Sequence, residues 1–321
     1  MKRLSALAFG LLLAACAPGP ASEEPLVLML DWVPNTNHSG LFLAQSEGYF
    51  AEEGLQVEIV QPGEVYAEQA VASDAADFGV SFQEQVTLAF ADNVPLVSIA
   101  AILQHNTSGF ASRGELGVRS PADWEGLRYG AFGSPFEAPT LQRLMACDGG
   151  DFSRLEIVET GFTDPLALLQ QEQIDLAWIF YGWQGIQAEQ QGIALDIVHM
   201  DAQFDCIPDY YTPVLITNNA MIEGRPEMVR RFLRAVSRGY TEAVADPEAA
   251  AAALLKAAPE LDPALVGASQ AWISPRYQAE APRWGEQSVA VWQAYADWMA
   301  ETGILPAPID MSSAFTNEFL P

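Results

Sequence analysis

The sequence has few basic residues. Fifteen lysines and arginines stand against 42 aspartates and glutamates, which gives a formal net charge of −27 at pH 7. A surface of this sign repels nucleic acid and anionic lipid headgroups, so we expect neither of them as a partner. It also disfavours anionic ligands such as sulfonates or phosphates, unless arginines cluster at the site. A salt-rich habitat would favour the same acidic composition.

Lysine and histidine are rarer still. Of the two lysines, Lys2 lies at the N-terminus and Lys256 in an alanine-rich helical pattern. A Schiff-base cofactor needs a desolvated lysine in a cleft, so this placement argues against such an enzyme. The three histidines, His38, His105 and His199, are far apart and show no zinc-like spacing. We therefore expect no metal site and no cofactor.

The motifs of other enzyme classes are also missing. The chain has no glycine-rich phosphate fingerprint and no Walker lysine. Gly133-Ser134 is followed by Pro135, which does not fit a nucleophile elbow. We expect no catalytic residues and a protein that is not an enzyme.

Only one apolar run is long, and it lies near the N-terminus. Lys2 and Arg3 precede apolar residues 4–15, a stretch too short to span a bilayer stably. The run ends in Leu-Ala-Ala-Cys at residues 13–16, which resembles a bacterial lipobox. We expect residues 1–15 to be a lipoprotein signal peptide, Cys16 to carry the lipid and residues 16–25 to form a tether. An ordinary signal peptide cleaved near Ala17 is the alternative.

These signals place the rest of the chain outside the cytoplasmic membrane. We expect it in the periplasm or on the outer face of the cell membrane, attached through the lipid alone. If Cys16 carries the lipid, Cys147 and Cys206 remain. In an oxidising compartment they form a disulfide or stay as free buried thiols, and their spacing favours neither outcome.

The rest of the sequence is typical of an α/β protein. Its 321 residues suggest two domains, and short apolar runs alternate with helical patterns in β-α-β order. This order predicts parallel sheets covered on both faces. We expect one lobe from residues 26–112 plus 215–321, with a helical C-terminal tail, and a second lobe from residues 113–214. Two crossings, near 110–117 and 210–216, would let the lobes close around a ligand.

The first candidate binding segment follows the first predicted strand. Ligands bind beyond the carboxyl ends of strands in such sheets. Trp32 offers a ring face for stacking, while Asn35, Asn37 and His38 offer hydrogen bonds. Asn37 is also a good N-cap for the helix that begins at His38. A tryptophan covering the core edge, with the polar residues serving the turn and the cap, is the structural alternative.

The second candidate segment follows a strand of the other lobe and would face the first across the cleft. Tyr181 and Trp183 leave the strand end, and Glu189 would lie about two turns into the next helix. A carboxylate there would accept two N–H donors from an amidine-like edge. The alternative is that the rings serve packing and Glu189 faces solvent. Weaker candidates also follow strands or lie at the presumed hinge: Ser81, Gln83, His105, Ser134, Glu137 and Tyr211.

Several motifs follow one another along much of residues 26–220: Asp31-Trp32, Asn35 to Gly40, Gly48-Tyr49-Phe50, Glu53-Gly54-Leu55, and residues 79–85, 104–110, 177–181 and 210–216. Their joint order resembles the NMT1/THI5-like family of ABC-transporter solute-binding proteins, in particular the branch that binds formyl-aminopyrimidines.

The resemblance implies a monomer with a two-lobed periplasmic-binding-protein fold that docks on a permease and its ATPase. It implies that Trp32 and Tyr181 stack on an aminopyrimidine thiamine precursor, while Asn37 and Glu189 bind its polar edge. The same scaffold would alternatively bind riboflavin, a sulfonate or another heterocycle. A pyrimidine-synthesising enzyme of the same family is a further alternative, but the cysteine-rich motif of the fungal synthases is absent.

Overall fold

The computed structural model describes residues 25–63, 65–161 and 163–321. The predicted signal peptide, the predicted lipidation site Cys16 and the predicted tether up to residue 24 lie outside the described residues. Within them, no helix is both long and apolar enough to cross a membrane.

Lobe I is built on a five-stranded sheet with the strand order β2-β1-β3-β10-β4. Its strands are β1 (Leu26–Met29), β2 (Val57–Val60), β3 (Phe78–Ser81), β4 (Leu96–Ala101) and β10 (Val214–Asn218). The β1 strand pairs in parallel with β2 and β3, whereas β10 runs antiparallel to both β3 and β4.

Lobe II has a second five-stranded sheet with the order β7-β6-β8-β5-β9. Its strands are β5 (Ser108–Arg113), β6 (Arg128–Ala131), β7 (Glu156–Glu159), β8 (Leu176–Phe180) and β9 (Leu195–His199). The β6 strand is parallel to β7 and β8, and β5 is antiparallel to β8 and β9.

Twelve α-helices lie in the described ranges. They are α1 (Ser39–Ser46), α2 (Tyr49–Glu52), α3 (Ala67–Ala72), α4 (Gln83–Ala91), α5 (Glu137–Cys147), α6 (Pro165–Gln170), α7 (Ile186–Gln191), α8 (Asn219–Gly224), α9 (Pro226–Ala245), α10 (Pro247–Ala257), α11 (Pro263–Ile273) and α12 (Val289–Glu301). The last five form the helical C-terminal region, as predicted.

Two sequence expectations about the sheets are wrong. The sheets are mixed rather than parallel, because each contains a strand that arrives from the other lobe: β10 in lobe I and β5 in lobe II. The first crossing therefore precedes Ser108 instead of lying near 110–117, and residues 108–112 belong to lobe II. Val214 pairs in the sheet of lobe I, so the second crossing ends one residue before the predicted boundary.

The long helix α9 packs against the sheet and against α1. The Phe232 ring stacks on Phe78 of β3, with ring centroids 3.7 Å apart. The crossing with α1 is so close that a Cβ on Gly239 would lie 2.1 Å from the Gly40 carbonyl oxygen. Because real Cβ atoms do not approach an oxygen so closely, only glycine fits at position 239. This contact fixes α1, and with it the loop that leads into α1.

Lobe II carries one covalent link. Cys147 at the end of α5 forms a disulfide with Cys206, in the segment that leads back to lobe I. Such bonds persist in oxidising compartments. The sequence left a disulfide and free buried thiols as alternatives, and the structure shows the disulfide.

Candidate ligand site between the two lobes

A cavity of about 530 Å³ lies between the lobes. Lobe I contributes the loop after β1 and the first turns of α3 and α4. Lobe II contributes the loop after β6 and the turn after β8, and the two crossings contribute Thr107 and Thr212. The volume suits a small organic molecule.

Aromatic side chains form much of the cavity wall. Trp178 lies at the centre of the lobe II wall, with its ring centroid 6.1 Å from Phe132 and 6.0 Å from Phe136. Its indole N–H donates to the Ser108 hydroxyl over 2.8 Å, which fixes the plane of the ring. The aromatic residues that line the cavity are Trp32, Tyr66, Phe82, Phe132, Phe136, Trp178, Phe180 and Trp183. Such a wall favours a flat ligand that is buried between ring faces.

Three carboxyl side chains, all from lobe I, line the same cavity: Asp31, Glu68 and Glu84. Burial raises the pKa of Glu68, against the effect of the hydrogen bond that it accepts from the Ser81 hydroxyl. No lysine or arginine is among the described residues that line the cavity. The site is therefore suited to a ligand that donates hydrogen bonds or carries positive charge.

Glu84 is the most deeply buried of the three carboxyl groups, with 4% of its surface exposed. Burial raises its pKa to about 8, despite hydrogen bonds from its own backbone and from Tyr210. Its Oε2 atom has no hydrogen-bond partner among the described residues. A carboxyl group in this state is mostly protonated at pH 7, and its Oε2 has hydrogen-bonding capacity that no described residue uses.

A hydrogen-bond network holds the loop from Asp31 to His38. The Asn35 backbone N–H donates to His38 Nδ1 over 3.2 Å, so the ring proton lies on Nε2 and is donated to Asp31 Oδ1 over 2.6 Å. His38 is fully buried. It positions Asp31 and the loop and does not line the cavity, in contrast to its predicted role as a ligand-binding residue.

Asn35, rather than Asn37, caps the first helical turn of this segment. Its side chain accepts from the Asn37 backbone N–H over 2.9 Å, because a 3-10 turn at Thr36–His38 precedes α1. The predicted N-cap is therefore wrong by two residues. The Tyr240 hydroxyl of α9 donates to the Asn37 carbonyl over 2.7 Å. The Asn37 side chain remains on the cavity wall beside Trp32, where both were expected.

The segment after β8 differs most from expectation. Tyr181–Gly185 forms a π-helical turn, and its residues Gly182, Trp183 and Gln184 line the cavity. Tyr181 is not part of the cavity wall: its ring packs on His199 and Trp272, and its hydroxyl donates to Glu189 over 2.6 Å.

Glu189 is exposed to solvent and outside the cavity. The positions predicted for Tyr181 and Glu189 are therefore wrong, because the wider turn rotates both side chains away from the cleft. Gln184 occupies the cavity side instead, where its Oε1 accepts from the Phe180 backbone N–H over 3.0 Å.

Most of the weaker candidates have structural partners. A hydrogen bond joins Gln83 and Tyr211: the Tyr211 backbone N–H donates to Gln83 Oε1 over 2.8 Å. The Tyr211 hydroxyl in turn accepts from the Ser288 backbone N–H over 2.9 Å. Gln83 and Tyr211 are both buried and neither lines the cavity. Ser81 is also buried and does not line the cavity. Its hydroxyl donates to Glu68, which does line the cavity.

Ser134 lines the cavity, but Glu137 does not. The Glu137 carboxylate accepts from the backbone N–H groups of Phe132, Gly133 and Ser134 at 2.7–3.0 Å and from the Tyr129 hydroxyl at 2.7 Å. It therefore shapes the loop that presents Ser134. His105 lies at a different, smaller cavity, where its hydrogen bond to Asp209 raises its pKa to about 9.

Sequence reasoning missed Glu68, Glu84 and Trp178 as site residues. Glu84 had a detectable signal, since it is the second residue of a helix that follows a buried strand directly. Glu68, in the first turn of α3, and Trp178, in the middle of β8, had no such signal. In the described part of the chain, no group of three or more histidine, cysteine, aspartate or glutamate side chains could hold a metal ion.

Comparison with known sequences assigns the chain to a family. The NMT1/THI5-like family model matches residues 35–250, which is more than half of the chain. The protein belongs to this family, as the sequence motifs indicated.

Individual relatives differ in what their names describe. The chain is 29% identical to a formylaminopyrimidine-binding protein of Halalkalibacterium halodurans, over 98% of both chains. It is 24% identical to the riboflavin-binding protein RibY of Chloroflexus aurantiacus, over 95% of this chain and 89% of the other. It is 25% identical to a 4-amino-5-hydroxymethyl-2-methylpyrimidine phosphate synthase of Legionella pneumophila, over 93% of both chains.

Solved structures show the same architecture. The alkanesulfonate-binding protein SsuA from Xanthomonas axonopodis pv. citri superposes with a TM-score of 0.70 at 16% identity, over 92% of this chain and 99% of the other. The two-lobed periplasmic-binding-protein fold is thus confirmed.

Proposed function

We propose that this protein is an extracytoplasmic solute-binding protein that captures an aminopyrimidine thiamine precursor of the formyl-aminomethylpyrimidine type. The observation that carries the proposal is the cavity itself. Eight aromatic side chains and three carboxyl groups line it, and no described lysine or arginine does. A planar heterocycle with an exocyclic amino group matches these surfaces, because its faces stack and its N–H groups donate to carboxyl oxygens.

Binding is expected to close the two lobes on the ring. In this arrangement Trp32 stacks on the pyrimidine, while Asp31, Asn37 or Glu68 accepts from its amino group. Gln184 takes the place on the lobe II side that Glu189 was predicted to occupy. The closed protein would then deliver the ligand to an ABC permease and its ATPase as a monomer, held at the membrane by a lipid on Cys16 and without enzymatic turnover.

Isothermal titration against formyl-aminomethylpyrimidine tests the proposal. Heat release that saturates at one ligand per protein, together with a raised melting temperature, is the expected result. If formyl-aminomethylpyrimidine gave neither heat nor a raised melting temperature, and riboflavin bound tightly under the same conditions, riboflavin would be the ligand instead. Incubation with pyridoxal phosphate tests the synthase alternative, since a pyrimidine product would revive it.

A sulfonate is a weaker candidate for the same site. Recognition of a sulfonate requires positively charged hydrogen-bond donors, and no described lysine or arginine lines the cavity. Titration with an alkanesulfonate is therefore expected to give no heat.

A further inference from the structure

A second cavity of about 290 Å³ lies beside the first crossing between the lobes. Residues 105–107 of the crossing, together with Ser108 at the start of β5, form one wall. The remaining wall comes from both lobes: Trp272 and Arg276 from lobe I, and His199, Asp201 and Phe204 from lobe II. None of these five side chains contributes to the aromatic cavity described above.

Asn106 lines this second cavity and has a side-chain donor without a partner among the described residues. The side chain is 2% exposed, and its Oδ1 accepts from both the backbone N–H and the hydroxyl of Ser108, at 2.7 and 2.6 Å. Because a backbone N–H can only donate, the amide orientation is fixed and Nδ2 points the other way. Nδ2 has no acceptor among the described residues. A buried N–H pair without a partner is costly, so this site favours a ligand that accepts hydrogen bonds.

Arg276 supplies positive charge to the same cavity. Its guanidinium carbon lies over the Trp272 ring, 3.7 Å from the ring centroid, and the guanidinium donates to the Trp272 carbonyl. Among the described residues, no carboxylate lies within ion-pair distance of it, whereas most arginines of the chain have such a partner. In a chain of net charge −27, an arginine held in place without a carboxylate is available for an external anion.

The other charged groups do not cancel this preference. His105 is already paired with Asp209 and Glu280. Asp201 is the only carboxylate among the described residues that line the cavity, and it is exposed, so solvent screens its repulsion of an anion. The rings of Trp272 and Phe204 provide apolar surface for the body of the ligand.

We propose that this second cavity is a binding site for a small carboxylate with a flat apolar body. The carboxylate would accept from Arg276 and Asn106 Nδ2, and the ring would lie against Trp272 and Phe204. This site is distinct from the aromatic cavity and does not depend on the ligand proposed there. Because its walls come from both lobes and from the crossing, its occupant would contact every part that moves during lobe closure.

Benzoate is the probe, and benzamide is its neutral isostere. We expect benzoate to bind the full-length protein with a dissociation constant below about 1 mM, which corresponds to roughly 0.5 kcal/mol per heavy atom. Benzamide is expected to bind at least tenfold more weakly. Arg276→Gln and Asn106→Asp should each weaken benzoate at least tenfold, the second because an anionic oxygen replaces the donor. Arg119→Gln, which lies outside both cavities, should leave the affinity for benzoate unchanged.

Proton NMR of the imidazole rings localises the site without any variant. The chain has three histidines: His105 and His199 line the second cavity, and His38 is buried next to the first. Benzoate should shift the signals of His105 and His199 and leave that of His38 in place. No binding by the wild type, unchanged affinity in Arg276→Gln, or a shift of His38 alone would each overturn the proposal.

Discussion

The two lobes contribute different chemistry to the cavity that they share. Lobe I provides all three lining carboxyl groups, while lobe II provides five of the eight aromatic rings. Lobe II also has a buried glutamate nearby, Glu137, but four donors satisfy it and it serves the loop. Glu84 of lobe I is equally buried, yet one of its oxygens has no partner among the described residues. Burial alone therefore does not separate a structural carboxyl from an available one; the number of donors around it does.

The largest expected effect follows from loss of the structural member of this pair. Glu137→Ala leaves three N–H groups and the Tyr129 hydroxyl without their acceptor, and should lower the free energy of unfolding by about 4 kcal/mol. Glu137→Gln, which keeps one oxygen, should cost less. Urea denaturation measures both, with the exposed Glu159→Gln as control. If Glu137→Ala lowered the free energy of unfolding by less than Glu159→Gln does, the structural role of Glu137, and with it the contrast to Glu84, would be refuted.

Glu84 should affect stability through pH. Its pKa rises from 4.5 in the reference state to about 8 on folding, so the protonated form stabilises the native state fully below pH 4.5. That contribution disappears as the pH rises through 8. Glu84→Gln cannot ionise, so its stability relative to the wild type should increase by about 4 kcal/mol between pH 5 and pH 9. Thermal or urea unfolding at both pH values tests this, and Glu248→Gln on the surface should show no such change.

Trp32 tests the role of ring faces on the lobe I side. Trp32→Ala should weaken binding of formyl-aminomethylpyrimidine by about 1–3 kcal/mol, the range seen for stacking of one base on one aromatic ring. Trp272→Ala, which removes a ring outside this cavity, should change the affinity less than twofold. Equal losses in the two variants, measured by titration calorimetry, would contradict the proposed stacking.

The smallest effect on ligand affinity is expected for Glu189 and Tyr181, which the sequence analysis places in the cavity and the structure places outside it. Glu189→Gln and Tyr181→Phe should each change the same affinity by less than twofold, because both side chains lie outside the cavity. Gln184→Ala, on the cavity side of the same turn, should cost more. A tenfold loss in Glu189→Gln would restore the role implied by the family resemblance.

The fold was more predictable than the site, for physical reasons. The helical C-terminal tail could be predicted because proline at the first position marks both α9 and α11 locally, and α9 also has a regular apolar face. The first crossing was placed too late, because nothing in the sequence of the short buried strand β5 indicates which of the two sheets it joins. The side chains that face the cleft after β8 were predicted wrongly because the turn is π-helical. Its one extra residue changes which side chain faces the cleft, and the periodicity of the sequence does not reveal that residue.

The placement of β10 determines the order in which the molecule can be completed. Synthesis delivers β1 to β4 first, but β3 and β4 are joined only through β10, which follows all of lobe II in the chain. Lobe II is a continuous segment and has all five of its strands before β10 emerges. The half of the protein that leaves the ribosome first is thus the half whose sheet is finished last, and its unpaired strand edges must be kept apart until then.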